Sequence, residues 1–187
     1  MAHCNELHFL EKHLPRPVTT VLEIGSHNYG HAMPWRDRYP ALTGLDLTPG
    51  PGVDLVYDLM EGPMTTQYEL VLCCSVLEHT RKPWIVAAHL APSVAPGGFL
   101  YCTVPWSWRR HEYPIDYWRM STDAIKTLFP GFAWIAEGYS STEEHQFQEH
   151  QSKSVLKCDV KNLDGQSKMT NINVVLTQLS HLLGRKL

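Results

Sequence analysis

The sequence lacks long hydrophobic runs and a strong excess of either charge. No apolar run approaches the roughly 20 residues that cross a bilayer, and the opening MAHCNELHFLEKH is too polar and too mixed in charge for a signal peptide. The formal net charge is −3 and the pI is about 6.4, so the composition gives no electrostatic footprint for nucleic acid. We therefore expect neither a membrane nor a nucleic-acid partner.

Cysteine is scarce and unpaired in its spacing. The five cysteines are odd in number, and none forms a C-x2-C pair. Three of them, Cys73, Cys74 and Cys102, fall in strand-like segments. Buried reduced thiols in a cytoplasmic protein are favoured over a disulfide scaffold.

Histidine is abundant, at 11 residues, but a metal site is not predicted. His27 and His31 are four apart, yet Pro34 and Gly30 disfavour a helix there, and no carboxylate or cysteine stands at ligand spacing beside them.

The sequence does contain an alternation of short apolar runs with helix-like segments. With 187 residues, 43% hydrophobic and 19% charged, it fits one globular domain spanning residues 1–187. Several runs are apolar throughout, as expected for strands covered on both faces. We predict a doubly wound, mostly parallel, seven-stranded α/β sheet, with strands at 20–24, 42–45, 53–57, 70–74, 99–104, 132–136 and 172–177.

Helix signals stand between these runs. Residues 1–17 predict an N-terminal helix with Leu7, Leu10 and Leu14 on one face. Pro83 opens a helix that ends near Pro92, and Ser121 caps another that Pro130-Gly131 stops.

Residues 139–170 break the alternation, because they are rich in Ser, Gln, Glu, Lys and His and have little periodicity. We expect a polar insertion before the last strand, either mobile or a long hairpin. The alternative is a lid or a partner-binding arm, since long loops without structure are uncommon unless they are functional or disordered.

The strongest local signal is V-L-E-I-G-S-H-N-Y-G at residues 21–30. It predicts a strand that ends near an acidic residue and enters a tight turn at Gly25, where backbone can approach a ligand closely. His27 holds the middle position of a dinucleotide motif, so G-x-G-x-x-G is incomplete. Glu23 would repel a pyrophosphate but attract an ammonium group, which favours S-adenosylmethionine over NAD.

Two further carboxylates follow successive predicted strands. Asp46 stands 21 residues after Gly25, where an acidic residue accepts hydrogen bonds from ribose hydroxyls. Asp58 could accept from an adenine amino group. Alternatively, Asp46 is a solvated turn residue and Asp58 a helix or turn cap.

Together with the run V-L-E-H ending at residue 79 and the turn A-P-G-G at 95–98, these segments resemble the successive motifs of the class I, Rossmann-like S-adenosylmethionine-dependent methyltransferases, in the methyltransferase type 11 group. The resemblance covers residues 18–138, about two thirds of the chain.

The resemblance implies S-adenosylmethionine as cofactor, S-adenosylhomocysteine as product and a set of cofactor contacts. The methionine part would be held by the turn after the first strand and by the end of the fourth. The ribose and adenine would be held after the second and third strands. The matching positions are Glu23, Gly25, Ser26, Gly30 and Cys74 for methionine, and Asp46, Leu47, Asp58 and Leu59 for the nucleoside.

A dense aromatic and basic segment follows the fifth predicted strand, at residues 104–121. Because Arg, His and Asp are costly to bury unpaired, core packing alone does not explain it. We expect an acceptor-binding wall; a polar plug that stiffens the loop is the alternative. The predicted acceptor contacts are Trp106, Tyr113, Tyr117 and Arg119.

If the acceptor is a hydroxyl, His111 is the predicted base, oriented by Asp116 or Glu112, and His79 is the second choice. The pair Glu78-His79 could instead anchor a loop. The H-x-x-P-x-D-Y-W-R run resembles one in a subset of these methyltransferases associated with surface polysaccharides or secondary metabolism, which suggests by analogy a small-molecule or saccharide acceptor.

Other functions are disfavoured on particular residues. A nucleotide-dependent oxidoreductase conflicts with Glu23 and lacks a Tyr-x-x-x-Lys pair. A DNA base methyltransferase would carry a Pro-Pro-aromatic run where Cys73 and Cys74 stand. A degenerate methyltransferase fold that acts as a binding scaffold stays open.

Overall fold

A computed structural model describes residues 2–30, 34–111, 114–140, 147–149 and 178–187. Their strands form one sheet with the order β3-β2-β1-β4-β5-β8-β6-β7. Pairing is parallel from β3 through β5, whereas β8 is antiparallel to both β5 and β6. The strands are β1 Val21–Ile24, β2 Thr43–Asp46, β3 Leu55–Val56, β4 Tyr68–Cys74, β5 Val94–Ser107, β6 Phe132–Ser140, β7 Phe147–Glu149 and β8 Gln178–Lys186.

Within the described ranges, four α-helices flank this sheet: α1 Ala2–His13, α2 Pro34–Arg38, α3 Pro83–Leu90 and α4 Thr122–Leu128. Short 3-10 turns occupy Leu77–His79 and Ala91–Ser93. Helix α4 begins as predicted, because the Ser121 side chain accepts a hydrogen bond from the Ala124 N–H at 3.2 Å. None of the helices in the described ranges is both long and apolar enough to cross a bilayer.

Alternate residues of the central strands pack on opposite faces of the sheet. On one face, Leu22, Val71 and Leu100 join the core beneath α3 and α4. On the other, Val21 and Leu70 join the core beneath α1 and α2, together with Phe9, Leu10, Trp35, Tyr39, Leu42, Leu72, Phe99, Tyr101 and Leu183. Both faces are therefore buried, which explains why the strand sequences are apolar throughout.

The predicted doubly wound α/β architecture is confirmed, with two differences at its antiparallel end. The predicted strand at 172–177 lies outside the described residues, and the last described strand, β8, was not predicted. Ser180, His181 and Gly184 interrupt its apolar pattern. A Cβ at Gly184 would lie 2.8 Å from the Trp134 ring, so this glycine lets the ring pack against the strand.

The sheet also has an eighth strand, β7, at its edge. It pairs with β6 antiparallel, with Ser140 opposite Phe147. Tyr139, Ser140 and all of β7 fall inside the predicted insertion at 139–170, whose other residues lie outside the described ranges. The described residues of the insertion thus belong to an antiparallel strand pair.

Glu69 connects the segment before β1 to the start of β4. Its carboxylate accepts hydrogen bonds from the Thr19 N–H and hydroxyl, both at 2.7 Å, and from Arg16 Nη1 at 2.8 Å. The two Thr19 bonds, followed by the Arg16 guanidinium, lower the pKa of Glu69 to about 2.

Replacing Glu69 by Gln should lower stability near neutral pH, and the deficit should shrink in acid. Because the pKa is lowered in the folded state, the ionised carboxylate stabilises the fold at pH values above the ordinary pKa of a glutamate. This stabilisation is lost as the pH falls from about 5 towards 2. Urea midpoints of both proteins across this range measure the effect, with the exposed Glu61→Gln variant as control. A deficit that is constant with pH would contradict the prediction.

Candidate functional site

The carboxyl ends of β1, β2, β4 and β5 lie along one edge of the sheet, which we call the carboxyl edge. From β1 the chain continues to β2 and β3 on one side, then crosses to β4 and β5 on the other. Open α/β sheets bind ligands at such a reversal of strand order. The loops that begin at residues 25, 47, 75 and 108 all start at this edge.

The turn after β1 depends on Gly25. Its φ is +74°, and its N–H donates to the Leu45 carbonyl at 2.8 Å. A Cβ here would lie 2.8 Å from Val76 Cγ2, in the loop after β4. Ser26 follows, buried, with its hydroxyl unpaired. Gly30 completes the turn at φ +90°, and its N–H donates to Asn28 Oδ1 at 2.9 Å.

Asp46 connects this turn to the loop after β2. Its Oδ2 accepts from the His27 N–H at 3.1 Å, and its Oδ1 accepts from the Thr48 N–H at 3.2 Å and the Thr48 hydroxyl at 3.4 Å. An ionised carboxylate has about four acceptor positions, so acceptor capacity remains for a ligand hydroxyl. The neighbouring Leu47 is exposed and forms an apolar surface beside the carboxylate.

His27 stands where the dinucleotide motif has a glycine, and the loop after β2 accommodates its side chain. Its Nδ1 lies 3.1 Å from Thr48 Oγ1, and its ring stacks on Tyr29 with centroids 4.3 Å apart. A Cβ at Gly50 would lie 2.5 Å from this ring. The imidazole thus packs against the loop after β2.

Acidic groups surround the ends of β1 and β4. Glu23 is half-buried on β1, and Glu6 of α1 is buried and accepts the Thr103 hydroxyl at 2.6 Å. Burial raises the pKa of the Cys74 thiol, and the charges of Glu6 and Glu23 add to this. The sequence prediction missed Glu6. The only feature of the sequence that could have indicated it is a carboxylate between the apolar residues of an amphipathic helix.

Asp58 and Leu59 lie differently from the predicted adenine contacts. Asp58 Oδ1 accepts the Met60 N–H at 2.7 Å, which is the turn cap that the sequence left as an alternative. Leu59 is buried in the core, and its carbonyl accepts from His89 Nδ1 at 2.6 Å. The Leu59 side chain is therefore directed away from any ligand at the carboxyl edge.

Arg119 organises the loop that runs from β5 to α4. Its guanidinium pairs with both oxygens of Asp116, with Nη2 2.6 Å from Oδ2. It also donates to the carbonyls of Trp108 at 3.2 Å, Arg109 at 3.0 Å and Trp118 at 2.7 Å. Its hydrogen bonds hold the loop, which favours the predicted alternative of a stiffening element over an acceptor contact for Arg119.

His111 and His79, the first and second candidates for a base, meet at this loop. Their Nε2 atoms are 3.2 Å apart, and the His79 Nδ1–H donates to the Ile115 carbonyl at 2.9 Å. Asp116 Oδ2 accepts the backbone N–H of His111 at 2.9 Å and lies 3.3 Å from its Nδ1. The Arg119 guanidinium lowers the pKa of Asp116, which keeps this carboxylate ionised beside His111.

Glu78 lies beneath the two histidines. Its side chain is fully buried, neither oxygen has a hydrogen-bond partner, and burial raises its pKa to about 8. Its carbonyl accepts the Tyr117 N–H at 2.8 Å, so the pair Glu78-His79 does anchor a loop.

Ser75, three residues before Glu78, has a φ of 54°, a strained conformation of the kind that clusters at functional sites.

Two of the aromatic residues predicted to contact the acceptor are partly exposed. Trp106 and Tyr117 are each more than 40% exposed, at 44% and 43%. Trp106 lies 6.2 Å from Tyr139, measured between ring centroids. Tyr113, the fourth predicted acceptor contact, lies outside the described residues. Trp106 and Tyr117 are therefore the two aromatic candidates for acceptor contact that the structure describes.

No protein-family model matches the chain, and no curated protein matches its sequence. Its fold, however, matches many solved structures. The N-methyltransferase NodS from Bradyrhizobium japonicum WM9, in complex with S-adenosylhomocysteine, is 13% identical, with a TM-score of 0.58 over 97% of this chain and 85% of NodS.

Two further neighbours give the same result. The 1,6-didemethyltoxoflavin-N1-methyltransferase of Burkholderia thailandensis, with its substrate and S-adenosylhomocysteine bound, is 14% identical, with a TM-score of 0.63 over 97% of this chain and 76% of that one. A SAM-dependent methyltransferase from Archaeoglobus fulgidus is 13% identical, with a TM-score of 0.61 over 100% and 95%. The chain has the class I, Rossmann-like methyltransferase fold.

Replacing Gly25 by Ala should destabilise the protein by about 1–3 kcal/mol, because a positive φ and a close Val76 Cγ2 both oppose a side chain. Urea unfolding measures this. Gly131→Ala is the matched control, since a Cβ there meets nothing within 4 Å. Adding Val76→Ala should recover the steric part only. Equal stability of the Gly25 and Gly131 variants would contradict the prediction.

Replacing Arg119 by Lys should open the loop that it holds. A lysine keeps the charge but cannot pair with both Asp116 oxygens and reach the carbonyls together. Loss of one charge-assisted bond raises the open population roughly tenfold, and trypsin cleavage at the exposed Arg109 and Arg110 should accelerate accordingly. Mass spectrometry follows the cleavage, with the surface substitution Arg38→Lys as control; unchanged cleavage would contradict this role.

Proposed function

We propose that this chain is an enzyme that transfers the methyl group of S-adenosylmethionine to a small-molecule acceptor. The observation that carries the proposal is Asp46, which ends β2, next to the strand that borders the order reversal, contacts the turn after Gly25 and keeps acceptor capacity. Two structural neighbours were crystallised with S-adenosylhomocysteine, which supports the same ligand here.

The charges of the carboxyl edge fit this cofactor better than a dinucleotide. Glu23 near the end of β1 and Glu6 within α1 place carboxylates near Cys74. An ammonium group and a sulfonium are attracted by such a surface, whereas a pyrophosphate is repelled. Asp46 would accept the ribose hydroxyls, with the exposed Leu47 beside the adenine. Gly25, Ser26 and Gly30 would surround the methionine part. The Asp58 role at adenine stays a weaker proposal, because its Oδ1 caps a turn.

Bound cofactor would supply an electrophilic methyl group, which would pass to the acceptor by in-line displacement. The protein's part is to align the acceptor and to take up its proton where one must be lost. We place the acceptor at the surface formed by Trp106 and Tyr117. For a hydroxyl acceptor, the proton would pass to the His111 and His79 pair, with Asp116 behind His111.

A titration calorimetry experiment tests the cofactor assignment. Wild type should bind S-adenosylhomocysteine and not NAD. Asp46→Asn should weaken binding roughly tenfold or more, because hydrogen bonds to a charged group contribute about 1.5–3 kcal/mol. Asp123→Asn, an exposed change on α4, should bind as wild type does.

Binding of NAD alone would contradict the proposal in favour of an oxidoreductase. If S-adenosylhomocysteine binds Asp46→Asn as tightly as wild type, the role assigned to Asp46 is wrong, whereas the assignment of the ligand stands. If labelled S-adenosylmethionine binds but its methyl group enters no sugar, phenol, amine or protein extract, the scaffold alternative gains. The neighbour SpnF, with a TM-score of 0.59 over 97% of this chain, has the same fold, but it is described as a [4+2]-cyclase and not as a methyltransferase.

A further inference from the structure

Three ligand-type side chains converge where the loop after β4 meets the loop after β5. Glu78, His79 and His111 each bring one potential ligand atom, and these atoms all lie within 4.8 Å of one another. We call them the histidine cluster. The two Nε2 atoms are 3.2 Å apart, and Glu78 Oε1 lies 3.8 Å from His79 Nε2.

The groups behind the two rings direct the ring lone pairs at each other. The Ile115 carbonyl can only accept, so His79 must carry its proton on Nδ1, 2.9 Å away. On His111 the buried Nδ1 atom has no hydrogen-bond partner and lies 3.3 Å from the Asp116 carboxylate, whose negative charge favours a proton there. Two neutral rings in these states present Nε2 lone pairs to each other at 3.2 Å, an arrangement that a cation between them would stabilise.

Glu78 adds an unsatisfied charge-bearing group to the same point. Its side chain is fully buried and both of its oxygens are without a hydrogen-bond partner. A buried carboxylate in this state is costly whether or not it is ionised, and buried charges are ordinarily paired or bound to a metal. The potential ligand atoms beside it are those of His79 and His111, and the charges of Glu6, Arg119 and Asp116 also act on it.

We propose that Glu78, His79 and His111 bind one divalent first-row transition-metal ion. Two nitrogens that ligate such an ion at about 2.0–2.1 Å stand roughly 3.0–3.4 Å apart, and the observed separation of 3.2 Å fits. The carboxylate completes the set by a small rotation towards the nitrogens. Two imidazoles select for Zn²⁺, Co²⁺ or Ni²⁺ over Mg²⁺ and Ca²⁺. Ile115 and Asp116 would support the ligands from behind, as such hydrogen bonds do at metal-binding histidines.

Three protein ligands leave a position for water or for an acceptor atom. The ion would lie beside Tyr117, whose N–H is held by the Glu78 carbonyl, on the proposed acceptor side of the carboxyl edge. A metal there would take the Nε2 lone pair that His111 needs as a base, so the two roles exclude each other. Metal binding itself does not depend on the proposed methyl transfer.

The sequence prediction of no metal site considered His27 and His31 and is at variance with this proposal. His79 and His111 are 32 residues apart, and only the strand order brings them together.

The test uses the full-length protein, treated with a chelator and then titrated with Co²⁺ or Zn²⁺ alone. We expect one ion per chain, with visible d–d absorption from Co²⁺. His79→Ala and His111→Ala should each weaken binding by more than the roughly 10–100-fold that follows loss of a hydrogen bond behind a ligand. His8→Ala, an exposed histidine on α1, should bind the ion as wild type does.

Glu78→Gln keeps the shape of the buried side chain and should also weaken binding. His111, on the partly exposed loop, supplies a variant that tests the site even if the Glu78 variant does not fold. Failure of the wild-type protein to bind either ion would overturn the proposal. So would binding that is unchanged in both histidine variants, since surface histidines would then account for it. S-adenosylhomocysteine affinity, measured on the same samples, reports separately on the proposed function.

Discussion

Strand β1 pairs in parallel with β2 on one side and with β4 on the other, and the placement of every candidate functional residue follows from this arrangement. Parallel strands bring their carboxyl ends to one edge, and the reversal of order between β1 and β4 opens that edge to a ligand. Glu23 stands opposite Gly44 on β2 and Leu72 on β4, so its charge is fixed at the centre of the edge. The loops after these strands therefore lie next to one another.

Ionic and hydrogen-bonded contacts then fix each loop in turn. Asp46 uses both oxygens to hold the first two loops together. Arg119 does the equivalent for the loop after β5 through Asp116 and three carbonyls. Glu78 is the exception, because its side chain is buried without a hydrogen-bond partner. That difference supports the proposal that the Glu78 side chain binds a ligand.

Local pattern predicted the parallel half of this fold well. The proline in its first turn was enough to predict α3, and the pattern from Glu23 to Gly25 was enough to predict the turn after β1. Each of these signals lies within a few residues. Strand β8 escaped prediction because polar residues and Gly184 break its pattern, and its place between β5 and β6 is decided by tertiary pairing. Leu59 was assigned to adenine from its position beside Asp58, whereas core packing decides where its side chain lies.

Contacts between distant segments were beyond the reach of sequence spacing. Glu6 reaches Thr103 across 97 positions, and His111 reaches His79 across 32. No local period relates such residues; only the crossover between strands does. The candidate base was nevertheless located, because a histidine near Asp116 in an aromatic loop is unusual enough to notice. What the spacing could not indicate is that Glu78 and a second histidine share its surroundings.

A crystal structure of the protein with S-adenosylhomocysteine would show whether the carboxyl edge binds the cofactor. We predict the ribose hydroxyls on Asp46, the amino-acid ammonium group near Glu23, and the sulfur facing the loop that Arg119 holds. A ligand bound away from the carboxyl edge, or no ligand at saturating concentration, would contradict this prediction.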